Sequence, residues 1–157
     1  MTVQVPEELA RMHQLVSWYD LPRWLPEAAR AGKACVWCAD PADTTAVELE
    51  PSAALPRRAC MRCYAARLAW YITWYDWHLH FSACTSCKHQ GTCYVGHGRR
   101  LQHERTMPPI DKKPVCLSCP APLLTTELVA PVRWEGSDGF NLGYAHLRCL
   151  RRKASVT

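Results

Sequence analysis

Residues 35–45 read CVWCADPADTT, and residues 116–126 read CLSCPAPLLTT. Both obey one frame, C-x-x-C-x-x-P-x-x-T-T, in a chain with no other obvious repeat. A C-x-x-C pair on a tight knuckle presents two thiolates to one cation, and a tetrahedral site needs two further soft ligands. For the first copy these are Cys60 and Cys63, a second C-x-x-C pair separated from Cys35 and Cys38 by 21 residues. That spacing points to a zinc site in preference to four unrelated buried thiols.

The second copy closes differently. Aligning the frames sets Pro41 on Pro122 and Thr44–Thr45 on Thr125–Thr126. The closing halves then match as well, ACMRC at 59–63 against AHLRC at 145–149, with His146 standing where the first copy has Cys60. A solitary histidine is more often structural than ligating. The equivalence with Cys60 reverses that expectation and assigns Cys116, Cys119, His146 and Cys149 to one ion.

A third cluster, Cys84-x2-Cys87-x5-Cys93, leaves its fourth ligand open. His80 lies four residues before Cys84 and seven before Cys87, so a continuous helix would turn all three the same way. His97 competes through Cys93-x3-His97, and His89 is a more distant candidate. Helical spacing favours His80; the remaining alternative is three free thiols without metal.

In each copy of the frame a cysteine knuckle leads into a predicted hairpin, and the second ligand pair opens a helix. That order resembles the treble-clef group of zinc fingers over residues 33 to about 70 and 114 to about 153. The resemblance implies zinc binding and approximate shape. Treble clefs serve nucleic-acid binding, protein docking and, in the HNH group, nuclease chemistry. The HNH implication fails, because neither TTAVELEP nor TTELVAPVRW supplies the histidine that chemistry requires. The triplet His80-x3-Cys84-x2-Cys87 is similar to the zinc motif of anti-sigma factors, where a more N-terminal cysteine completes the site. Here the upstream cysteines belong to the first centre, and Cys93 offers a local fourth ligand instead.

Three Zn2+ ions with four protein ligands each would be structural, since catalytic zinc keeps a position open for water. Phosphate-loop, dinucleotide, metalloprotease, serine-hydrolase and zinc-deaminase signatures are all missing, and no catalysis is expected. A redox role for Cys93 with an adjacent thiolate at the central cluster is the remaining chemical option.

The rest of the chain agrees with a small α+β, helix-rich protein in which two treble-clef-like fingers flank a long aromatic helix. Its 157 residues suit one domain or two small ones. Residues 1–32 hold two N-terminal helices, the first from about 6 to 19 with Leu9, Met12, Val16 and Tyr19 at helical spacing, the second bounded by Pro22 or Pro26 and stopped by Gly32. Residues 33–83 hold the first finger, with a short hairpin expected around TTAVELEP, and a helix through YAARLAWYITWYDWHLHF. On that helix Trp70, Trp74, Trp77 and Phe81 form one stripe, placed in the core in preference to a docking face. Residues 84–106 hold the central cluster and a short basic helix in GHGRRLQHER, 107–113 a linker, and 114–157 the second finger, with LVAPVRW as a strand, EGSDG as a turn and a basic terminal helix.

The start, MTVQVPEELARMHQL, has no basic n-region or apolar h-region, and no apolar run approaches the length of a membrane span. The expected setting is cytoplasmic, where the ten cysteines stay reduced, with no membrane and no small-molecule substrate. Residues 1–50 hold eight acidic and four basic side chains, whereas residues 51–157 carry a net +9. Basic residues gather beside the fingers: Arg57, Arg58, Arg62 and Arg67; Arg99, Arg100, Arg105, Lys112 and Lys113; Arg148, Arg151, Arg152 and Lys153. Of these Arg57, Arg58, Arg99, Arg100, Arg148, Arg151, Arg152 and Lys153 are candidates to grip phosphates, with Trp37 or Trp134 stacking on bases; solvated charge and buried indoles are the alternative. The leading expectation is therefore a non-catalytic zinc protein that contacts nucleic acid or the transcription machinery. A protein-interaction or anti-sigma-like regulatory module is the second, and an unrecognised zinc enzyme the third.

Overall fold

Helix α1, Glu7–Tyr19, forms where apolar residues recur at helical spacing, and it buries Met12, Leu15 and Val16 while Leu9, expected on the same stripe, is 40% exposed. The computed structural model describes residues 7–19, 21–22, 24–49, 56–109, 114–136 and 139–154. The side chain of Tyr19 and the linker lysines Lys112 and Lys113 lie outside the described residues. By backbone contacts the chain divides into two compact units, Met1–Ile72 with Thr106–Pro108, and Thr73–Arg105 with Pro109–Thr157. No described helix is long and apolar enough to cross a membrane.

In the first unit the expected second helix shrinks to the single turn α2, Glu27–Arg30, which starts after Pro26. It stops at Gly32, whose φ of +70° favours glycine and whose missing Cβ would stand 2.5 Å from the Pro56 carbonyl oxygen. Strand β1, Val47–Glu48, pairs antiparallel with β2, Arg58–Ala59. The short hairpin expected around TTAVELEP has its first strand there, and its return strand comes from RRA, with Leu49 donating back to the Arg57 carbonyl at 2.9 Å. Helix α3, Met61–Ala83, begins directly after Cys60. In this unit α1 meets α3 through His13 Nδ1 and the Tyr64 hydroxyl, 2.7 Å apart.

The division between the units falls within α3, and each unit buries its own part of the helix. Tyr71, Trp74 and Trp77 are buried, while Trp70 and Phe81 are only half-buried. A gapless run without glycine or proline explains the helix, and its burial follows what packs on each segment more than the stripe drawn from spacing. The helix ends at Ala83, for Cys84 adopts an extended backbone with φ −85° and ψ 118° before α4, Thr85–Gln90. Gly91 caps α4 in the left-handed conformation. Helix α5, Tyr94–Arg105, follows Cys93 directly.

Strands β3, Val129–Gly136, and β4, Gly139–His146, form the second hairpin, in register from Val129 opposite His146 to Gly136 opposite Gly139. Helix α6, Leu147–Ala154, continues from β4 without a break. The core of this unit forms around Trp74, whose indole N–H donates to the Gly143 carbonyl at 3.3 Å. Beside it, buried His103 joins Thr73 Oγ1 at 3.1 Å to the Tyr144 hydroxyl at 2.5 Å, which ties α3 to α5 and β4. Truncating Trp74 removes both the ring and its hydrogen bond. Trp74→Ala is expected to lower stability by about 3–5 kcal/mol in denaturant titrations of the metal-loaded protein, with the slope m unchanged.

Candidate metal centres

The repeated frame folds the same way twice. In the first copy the Cys35 N–H donates to the Asp40 carbonyl at 2.8 Å, Ala42 N–H to Lys33 at 2.9 Å and Ala46 N–H to Asp43 at 3.2 Å. In the second, Cys116 donates to Ala121 at 3.2 Å, Leu123 to Pro114 at 3.2 Å and Glu127 to Leu124 at 3.1 Å, each at the equivalent position. The isolated bridges Ala34–Pro41 and Val115–Pro122 repeat as well, which explains the proline in the frame. The knuckles are fastened to their hairpins alike: Val36 N–H to the Arg58 carbonyl, Leu117 N–H to the Tyr144 carbonyl, both at 3.0 Å. The closing ligands also coincide, since α3 starts one residue after Cys60 and α6 one residue after His146. A helix N-terminus beneath each closing pair favours bound thiolate.

Among the described residues three groups of four donor atoms stand within 4.8 Å of one another: Cys35, Cys38, Cys60 and Cys63; His80, Cys84, Cys87 and Cys93; and Cys116, Cys119, His146 and Cys149. Each group offers the donors one metal ion takes. All ten cysteines are free thiols. Sulfur separations of 3.7 Å for Cys38–Cys60, 3.8 Å for Cys84–Cys93, 3.6 Å for Cys87–Cys93 and 3.8 Å for Cys119–Cys149 are far too long for disulfides, which need about 2.05 Å.

In the central group it is His80, not His97 or His89, that joins the cysteines; its Nε2 lies 3.1 Å from Cys93 Sγ, while the other two histidines are exposed. The continuous helix that favoured His80 is absent, because the chain breaks at Cys84. The break sets Cys84 and Cys87 around the end of α3 instead of along it. Cys93 completes the group from the start of α5 and accepts the Gly96 N–H at 3.3 Å. Gly96 itself is a position that the ligand pattern did not single out. A Cβ there would come within 2.7 Å of Cys87 Sγ and 3.4 Å of the His80 ring, so only glycine lets α5 close on the donors.

The terminal group has a carboxylate behind its histidine. His146 turns Nδ1 toward Cys119 and Cys149, at 3.4 and 3.8 Å, and its Nε2 faces Glu127 Oε2 at 3.0 Å. Glu127 thus accepts the ring's other N–H and fixes the tautomer that leaves Nδ1 free for metal. Glu127 is itself held by the Leu124 N–H at 3.3 Å and by Arg148 at 3.1 Å. The signal was present in the frame. Where the first copy pairs Ala46 with Cys60, the second pairs Glu127 with His146, two coordinated changes at equivalent positions.

Crowded thiols repel one another's ionisation. Burial pushes the Cys35 thiol up, but N–H groups of Cys38, Cys60 and Trp37 donate to it and bring it down to about 7. Cys116 is likewise opposed by burial and lowered to about 6 by N–H groups of His146, Ser118 and Cys119. Their closing partners move the other way: Cys63 and Cys149 are raised by burial and by neighbouring cysteines, and Cys87 is pushed up to about 12 for the same reasons. One early thiolate in each frame, with later ones that resist ionising, is a set of charges that a divalent cation relieves.

The basic residues expected to grip phosphates largely have internal partners. Arg58 donates to the Asp43 carbonyl at 2.9 Å, Arg99 to Asp76 Oδ1 and its carbonyl at 2.8 Å, Arg148 pairs with Glu127, and Arg151 donates to the His89 carbonyl. Arg100 is 12% exposed and holds Glu104 and three carbonyls of the second frame. Arg57 is half-buried, Arg62 lies 3.6 Å from Asp40, Arg105 and Arg152 are exposed, and the Lys153 side chain is outside the described residues. Arg67 covers the Trp37 ring at 4.1 Å, a cation–π contact; Trp134 is partly exposed.

Glu127→Ala is expected to weaken metal binding at the terminal group about tenfold and leave the first group unmoved, as read by competition with a chelating indicator. Gly96→Ala should weaken the central group by a similar factor, about tenfold, whereas Gly98→Ala, with nothing within 4 Å of the added methyl, should not. Comparison of the chain with protein-family models, with curated proteins and with solved structures finds no match in any of the three.

Proposed function

We propose that the chain is a non-catalytic zinc protein, carrying three structural Zn2+ ions, whose fingers form a rigid binding module. One observation carries this reading: the spacing of the donors. Four sulfurs each about 2.3 Å from a zinc ion at the corners of a tetrahedron stand about 3.8 Å apart. The thiol pairs at 3.6–3.8 Å fit that edge in all three groups. With four protein donors per group no position is left for a reacting water, which supports a structural role over an enzymatic one. The order knuckle, hairpin, helix in both copies supports treble-clef-like fingers, and ten reduced thiols suit a cytoplasmic setting.

For the partner, a protein is favoured by the surface: Tyr94 is 95% exposed on α5, and Leu101, Leu117 and Leu124 are exposed apolar side chains, while most of the arginines beside the fingers are spent on internal acceptors. Nucleic acid is the second reading, carried by the net +9 of residues 51–157.

Native mass spectrometry should count three zinc ions per chain and two after Cys119→Ser; a native protein free of metal overturns the zinc reading. A strong chelator should abolish the circular dichroism signal cooperatively, because metal binding and folding are coupled in small zinc units. Mobility-shift titration separates the partner classes: salt-dependent retardation of DNA or RNA would select the nucleic-acid reading, and its absence together with a stoichiometric protein partner would select docking.

A further inference from the structure

We infer that the central and terminal metal centres load cooperatively, coupled through Arg100 and Glu127 as positioning residues. The inference rests on the zinc reading above and concerns only the second unit. Helix α5 begins immediately after Cys93, so a central ion gathering Cys93 with His80, Cys84 and Cys87 fixes where α5 starts. Two turns further along α5, Arg100 reaches across to the second frame, with Nη1 donating to the Glu127 carbonyl at 2.6 Å and Nη2 to the Leu124 and Thr125 carbonyls at 3.3 and 3.5 Å. Its Nε is tied back to Glu104 at 2.8 Å, so the guanidinium is clamped between its own helix and that loop. The loop residue whose carbonyl Arg100 holds is Glu127, and its carboxylate faces His146 Nε2 at 3.0 Å.

The chain of contacts therefore runs from a ligand of one ion to a ligand of the other: Cys93, Arg100, Glu127, His146. A second tie leads the same way. Gly91, which caps α4 after Cys87, lacks a Cβ that would stand 2.4 Å from Leu147 and 2.9 Å from Leu128, and Leu147 adjoins His146. Without the central ion the donors lose their common centre, and α5 keeps only its ties farther along, Arg99 on Asp76 and His103 between Thr73 and Tyr144, so its first turn is held less firmly. Arg100 then fixes the loop less firmly, and Glu127, left to the Leu124 N–H and Arg148, presents its carboxylate to His146 less well. Each ion thus raises the affinity for the other, and by linkage the factor is the same in both directions.

The test is zinc loading of the full chain in buffered free zinc, with thiol alkylation mapped by peptide mass spectrometry so that each centre reports separately. Cys93→Ser is expected to move the midpoint for protecting Cys116, Cys119 and Cys149 to about tenfold higher free zinc, and to leave Cys35, Cys38, Cys60 and Cys63 unmoved. Cys119→Ser should likewise raise the free zinc needed to protect Cys84, Cys87 and Cys93, the centre that fills second showing the fuller shift. In Arg100→Ala or Arg100→Lys, where the multiple carbonyl contacts are lost, the effect of Cys93→Ser on the terminal centre should largely vanish. His80→Ala repeats the test with one central ligand removed from a different element, and the first centre's midpoint reports whether the chain still folds. Midpoints unmoved in both directions, by Cys93→Ser and His80→Ala at the terminal centre and by Cys119→Ser at the central one, or a shift undiminished without Arg100, would overturn the coupling while leaving the zinc reading intact. Wild type that takes up no zinc would overturn both.

Discussion

Mutual repulsion among thiolates is the constraint on which the rest of this structure depends. Three sulfurs and an imidazole, or four sulfurs, held within 4.8 Å of one another make a poor site for anions and a good one for a divalent cation. The surrounding fold is arranged to tolerate that crowding. Backbone N–H groups converge on the first cysteine of each frame, helix N-termini lie under each closing pair, and a missing Cβ at Gly96 makes room beside the central donors. Each feature lowers the free energy of the ion-bound form and offers the empty form little. A chain of 157 residues that divides into two units has little apolar area for either, and an ion at each group would make up part of what the cores lack.

The frame was legible because a knuckle has few solutions. Two thiolates must converge across a turn, so the cysteine spacing is fixed; the proline forms the same bridge in both copies, and the hydrogen bonds follow position by position. The hidden equivalence of Cys60 and His146 was legible for the same reason, since both precede a helix that starts at the matching residue. His80 was reached by a partly wrong route. Spacing on one helix suggested it, yet the chain breaks at Cys84, and it is the break that lets Cys84, Cys87 and Cys93 surround it.

What escaped the sequence lies behind the ligands. Arg100 makes contacts between segments distant in the chain, and no periodicity announces them; Glu127 shows only as the residue that replaces Ala46 where His146 replaces Cys60. The need for glycine at position 96 comes from Cys87 and His80, which leave no room for a Cβ and which sequence spacing does not place beside it. Charge is a related case. A run of arginines signals attraction for phosphate only if the guanidinium groups face water, and here Arg99, Arg100 and Arg148 face carboxylates and carbonyls of their own chain. Of the aromatic stripe Trp74 and Trp77 lie in the core, whereas Trp70 and Phe81 are only half-buried, a difference that helical spacing alone does not carry.

The pairing of Glu127 with His146, against Ala46 with Cys60, also constrains how two copies of one finger can drift apart. A histidine arriving alone would ligate through a ring free to turn, and a carboxylate arriving alone would sit behind a thiolate of like charge. Either intermediate binds its ion less well than both end states. The two copies of the frame therefore differ by a linked exchange, Cys60 with Ala46 against His146 with Glu127, in which each member suits the other.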